Sequence, residues 1–110
     1  IRVNAVLMEN ISEKIARLER IINDRGENFA RKKELQDLKI SYKILDDDEL
    51  RKNALEALRG GTLTPMEKTI FYEYYMLGKP ARAVAVDTFR SVSGIFEHLR
   101  NARAKLGITD

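Results

Sequence analysis

A chain of 110 residues with 44% hydrophobic content and only two prolines has the material for one compact domain, or for a small domain with a helical extension, and disorder throughout is excluded. It has no cysteine, so disulfides and thiolate chemistry are ruled out, and no apolar run approaches the ~20 residues that a membrane span requires. The net charge of +3 is weak evidence for any partner, but its distribution is uneven.

The chain opens on Ile1 rather than Met, which leaves room for a longer parent, and shows no charged-then-apolar leader, so a cytoplasmic location is expected. Residues 1 to 8 are apolar-rich and fit a strand, a helical lead-in or an ordered arm. From Asn10 the pattern is helical. Asn10 and Glu13 have capping-box spacing, Ile11, Ile15, Leu18 and Ile22 share a stripe with Ile21 beside it, and Arg25-Gly26 is a stop. A second amphipathic helix is expected from about Glu27. In it Leu35, Leu38, Tyr42 and Leu45 alternate three and four apart, as in the seam of paired helices, with Ile40 and Ile44 widening the apolar surface. The Arg31-Lys32-Lys33 cluster reads as a solvated turn of this helix. Asp46-Asp47-Asp48 marks a break and a new helix start, because carboxylates are favoured at helix N-termini. Three consecutive carboxylates do not converge on one ion, so no metal site is expected there.

Gly60-Gly61-Thr62 is the expected hinge, dividing a helical region, 1–61, from a second unit, 62–110. The N-terminal stripes need cover, from each other as a hairpin or coiled coil, from the C-terminal unit, or from a second copy. A homodimer through the N-terminal helices is the preferred expectation, with a monomeric bundle as the alternative, since each exposed Leu or Ile would forfeit roughly 1.5–3 kcal/mol of burial.

The second unit carries the clearest punctuation. Thr64 is an N-cap, Pro65 suits the first helical position and Glu67 completes a capping box. This helix should bury Ile70, Tyr74 and Leu77, with Phe71 and Tyr75 alongside, and stop at Gly78. After Pro80 a short helix with small residues runs from Ala81 to about Thr88. Ser91 then caps a longer one in which Val92, Ile95, Leu99, Ala102 and Leu106 share a face, and Gly107 stops it. A short helix, a tight turn and a longer capped helix make a helix-turn-helix candidate. The positive excess coincides with it: Lys79 to Gly107 holds six basic residues against two acidic ones, whereas residues 1 to 62 hold thirteen against twelve.

On these residues the stretch 63–108 resembles the DNA-binding domain of LuxR-type bacterial regulators, and more loosely the promoter-reading fourth region of sigma factors. Leu63, Thr64, Pro65, Glu67, Gly78, Ala85, Ser91, His98, Asn101, Lys105, Leu106 and Gly107 fall on the LuxR-type pattern, with Ile108 in place of its final Val. The first helix carries one residue more than that pattern. Thr88-Phe89-Arg90 stand at the turn, where the pattern has an apolar residue, a Gly and another apolar residue, and Phe89 is expected to supply the missing apolar contact.

The expectation is therefore an all-α chain, a helical N-terminal region followed by a helix-turn-helix, acting as a sequence-specific DNA-binding transcription regulator of bacterial or phage type. With one face of the last helix inward, Ser93, Glu97 and Arg100 point outward, flanked by Phe96 and Arg103. Ser91 and Ser93 can meet phosphate or a base edge, Glu97 can accept from cytosine, Arg100 can donate to guanine, and Phe96 can touch a thymine methyl. Arg82, Arg90, Arg103 and Lys105 are candidate backbone contacts. The alternative is an interaction module docking on RNA polymerase or another regulator. His98 is the only histidine and no phosphate-binding glycine loop is present, so neither enzyme activity nor a metal or other cofactor is expected.

Overall fold

The computed structural model describes residues 5–108, and among these every regular element is helical. Helix α1 spans Ala5–Arg25, α2 Phe29–Asp46, α3 Asp48–Arg59, α4 Pro65–Phe71, α5 Ala81–Thr88 and α6 Val92–Leu106, and a π-helical segment, Tyr72–Met76, extends α4. None of these helices is long and apolar enough to cross a membrane.

Most boundaries follow from local chemistry. Gly26 takes a left-handed φ of 87° and its N–H bonds back to Ile22 O at 2.8 Å, closing α1. Asn28 caps α2 by accepting from Arg31 N at 2.8 Å. The aspartate run acts as a helix start, with Asp47 Oδ1 accepting from both Glu49 N and Leu50 N at 3.0 Å. At α4 the capping box is complete: Glu67 N donates to Thr64 Oγ1 (3.2 Å) and Thr64 N to Glu67 Oε1 (2.9 Å). One expected boundary is corrected. Asn10 lies inside α1, which already runs at Ala5, so Asn10 caps nothing; residues 5 to 8 are helical, and residues 1 to 4 lie outside the described part.

The core does not stop at the Gly60-Gly61 link. Ile40 and Ile44 of α2, Ala54 and Ala57 of α3, and Leu63 join Ile70, Phe71, Tyr75, Val84, Ile95, Leu99 and Ala102 in one buried cluster. Helix α1 packs chiefly on α2, burying Ile11 and Leu18. Of the seam expected along Leu35, Leu38, Tyr42 and Leu45, Leu45 is buried and the other three are half-buried. The fully buried face of α2 is turned to Asp37, Ile40, Ser41 and Ile44, because α2 serves α1 on one side and the π-helical segment on the other.

The π-helical turns take up one residue more than α-helical turns would, closing with Leu77 N donating to Tyr72 O at 3.0 Å. Widening the helix shifts what it buries: Ile70, Phe71 and Tyr75 are buried as expected, but Tyr74 is only half-buried and Leu77 is turned out to solvent. At left-handed Gly78 the helix ends with Lys79 N donating six residues back to Glu73 O (3.0 Å), and the Tyr75 carbonyl accepts from the buried Ser41 hydroxyl at 2.7 Å.

Glu67 ties this region to the last helix. Its buried carboxylate accepts from Lys105 Nζ at 2.7 Å, which holds it below the usual carboxylate range against the opposing effect of burial, with help from the Thr64 N–H. A depressed folded pKa adds stability above the ordinary carboxylate value and withdraws it as pH falls through the folded one. Glu67→Gln should therefore lose about 1–2 kcal/mol at neutral pH and show a shallower fall in melting temperature than wild type between about pH 5 and 3, as followed by circular dichroism.

Candidate nucleic-acid interface

The segment running from α5 through a turn into α6 is held by its own backbone bonds and by the core beneath. Pro80 precedes α5, Val84 and Ala85 are buried, and Thr88 Oγ1 donates to Val84 O at 2.7 Å. The chain reverses at Phe89, the one non-glycine residue with positive φ (56°) among the described residues, and Arg90 N closes the turn onto Ala85 O at 2.9 Å. Ser91 caps α6 by accepting from Gly94 N at 3.1 Å, and Gly107 ends it at φ 69°. Phe89 does not supply an interior contact: it is 95% exposed, because the left-handed turn throws its side chain away from α5 and α6.

Seven of the nine candidate contact residues lie exposed on this segment: Arg82, Arg90, Ser91, Ser93, Glu97, Arg100 and Lys105, the last ion-paired to Glu67. The two serine hydroxyls are 3.3 Å apart. Arg103 and Phe96 differ from the outward-facing expectation. Arg103 is 6% exposed, four residues after the buried Leu99 and hence on the same inward face. Its Nη1 donates to the Tyr75 hydroxyl at 2.7 Å and lies 3.9 Å from Asp37, whose carboxylate also accepts from Tyr74 at 2.8 Å. Burial, with Asp37 adding to it, drives the Tyr74 hydroxyl far above its ordinary pKa, so it stays a donor. Lys105 is engaged by Glu67. Phe96 is half-buried edge-on to Tyr74, ring centres 6.3 Å apart, and Lys33 Nζ stands 4.8 Å from its ring centre. The inward stripe of α6 begins at Ile95; Val92, one turn earlier, is 41% exposed.

Lys33 was not a candidate on sequence, since a basic cluster on an amphipathic helix is ordinarily solvated. Its position against α6 is a tertiary fact with no local signal. Arg82, Arg90, Arg100 and Lys33 have no acidic partner within ion-pair distance among the described residues, whereas Lys79 is bonded to Glu73 (2.8 Å) and Asp87 (3.2 Å), which raise its pKa. Exposed unpaired cations thus stand at the start of α5, in the turn and on the outer side of α6, and a shallow cleft brings Lys33 of α2 together with Ser93, Phe96, Glu97 and Arg100. An open groove of about 1540 Å³ runs between α1 and α2 on one side and the 77–87 region on the other, reaching Ser93 and Phe96. No group of three or more His, Cys, Asp or Glu residues gathers into a metal site among the described residues. The chain matches no family model, no curated protein and no solved structure.

Proposed function

We propose that this chain is a sequence-specific DNA-binding transcription regulator, acting in the cytoplasm, whose α5–turn–α6 segment is a helix-turn-helix reading the major groove. The observation that supports this is the exposure of Arg82, Arg90, Ser91, Ser93, Glu97 and Arg100 along the α5–turn–α6 segment, three of them cations without an ionic partner among the described residues. On this reading Ser93, Glu97 and Arg100 meet base edges, and the open N–H groups at the start of α6 meet a phosphate. Arg82 and Arg90 hold the sugar-phosphate backbone, joined by Lys33 from α2. Phe96 becomes a support, and Arg103 and Lys105 become structural. The half-buried Ile15 and Ile22 of α1, outside the groove, give a homodimer a surface. Two-fold symmetry would then set two α6 helices on half-sites about one DNA turn, ~34 Å, apart.

Selection of bound sequences from a random duplex pool tests the reading. A symmetric or single half-site motif is expected, and Arg100→Ala should weaken binding to the selected site by about 1–3 kcal/mol while relaxing preference at one base pair. Equal weakening on every sequence would make Arg100 a phosphate contact, and a pool without enrichment would remove sequence reading altogether. Exposed Phe89 and Val86 at the turn favour a second reading, a module that docks on RNA polymerase or another regulator. That module would bind random duplex weakly at any salt concentration.

A further inference from the structure

We propose that the groove between α1–α2 and the 77–87 region is a docking site for an acidic amphipathic helix of a partner protein, and that its occupation excludes duplex DNA. Seven large apolar side chains stand exposed among the described residues, and four of them, Phe29, Leu77, Val86 and Val92, line this one groove. They come from α2, the end of the π-helical segment, α5 and α6, so their convergence is a property of the fold and not of any one amphipathic stretch. The rim is cationic. Lys14, Arg17, Lys33 and Arg82 line the groove without an acidic partner among the described residues, against Glu34 as the one carboxylate there that is not tied to a cation or buried.

An apolar lining set among unpaired cations selects a ligand that is apolar on one side and anionic on its flanks. A helix satisfies its own backbone, whereas an extended segment would carry unpaired N–H and C=O groups into a groove that offers no strand edge among the described residues. Size agrees: three turns of a helix ~10–12 Å across occupy roughly 1300–1800 Å³, matching a groove of about 1540 Å³. The chain's own helices do not fit the charge. Helix α1 has four acidic and four basic residues, and α2 and α6 are net basic, so the occupant is another protein and not a second copy. Val92, Ser93 and Phe96 belong to both the groove and the start of α6, so an occupant would stand where a duplex approaches. Docking is independent of the DNA reading; exclusion rests on it.

The test uses the full chain and three synthetic helical peptides of ~15 residues. One has a leucine face flanked by Glu, one has Lys for every Glu, and one has the first composition scrambled to destroy the apolar face. Fluorescence anisotropy should show the acidic amphipathic peptide binding about tenfold or more tighter than either control. Arg17→Glu/Arg82→Glu should reverse the preference toward the Lys peptide, and amide shifts should move at Leu77 and Val86. Equal binding of the acidic and scrambled peptides, or shifts confined to residues outside the groove, would overturn docking. Preloading with the acidic peptide should lower duplex affinity about tenfold; simultaneous binding of both would overturn exclusion. A chain that binds the peptide but never duplex refutes the DNA reading and leaves docking standing, whereas one that binds duplex but no peptide does the reverse.

Discussion

Arg103→Ala should lower the free energy of unfolding by about 3–5 kcal/mol, measured by urea denaturation. The guanidinium is almost wholly buried, donates to Tyr75 and faces the buried carboxylate of Asp37, so truncation strands a charge that water cannot reach. The same logic makes simultaneous replacement mild. Asp37→Leu/Arg103→Met removes both charges and should recover most of the loss, since well-packed apolar pairs often equal or exceed buried ion pairs. The cluster of Asp37, Tyr74, Tyr75 and Arg103 joins α2, the π-helical segment and α6, and so fixes how the N-terminal helices sit against the candidate reading helix. A stable Arg103→Ala variant with weakened DNA binding would instead return Arg103 to the surface role its sequence position suggested.

The second large effect contrasts two phenylalanines. Phe71 has no exposed surface and meets Tyr75 edge-on at 5.1 Å, within the core shared by α2, α3 and α6. Phe71→Ala should cost about 3–5 kcal/mol through lost burial and the cavity left behind. Phe89 is the opposite case. Its side chain contributes almost no burial and its left-handed backbone is disfavoured by ~1–2 kcal/mol for a residue with a Cβ. Phe89→Gly should therefore match or exceed wild-type stability, by up to about 1 kcal/mol once the added freedom of the unfolded chain is counted. Thermal melts of the two variants separate these cases directly.

Features set within four residues of one another were legible in the sequence. The Thr64–Glu67 box, the Ser91 cap and the glycine stops at 26, 78 and 107 depend only on backbone groups one turn away, and each is present. The all-helical class followed from periodicity for the same reason. What failed was set by partners distant in the chain. Arg103 reads as a flank of α6 until Asp37 and Tyr75 arrive from elsewhere to receive it. Leu77 reads as core until the π-helical turns rotate it outward, although the extra residue in that helix was visible as a mismatch to the resembling pattern. Asn10 was mistaken for a cap because capping chemistry is the same whether or not helix precedes it. Lys33 and the apolar groove carry no local mark, since each depends on α2 facing α6 and the 77–87 region across the fold.

The proposed function requires the outer side of α6 and its neighbouring cations to contact duplex DNA. The most direct measurement is the salt dependence of binding to a random duplex, for wild type and for Lys33→Ala/Arg82→Ala/Arg90→Ala. Wild-type affinity should fall steeply with salt, and the triple variant should shed about three phosphate-equivalent contacts, reducing the log–log slope by about 2.7. A shallow wild-type slope, or an unchanged slope in the triple variant, would contradict it.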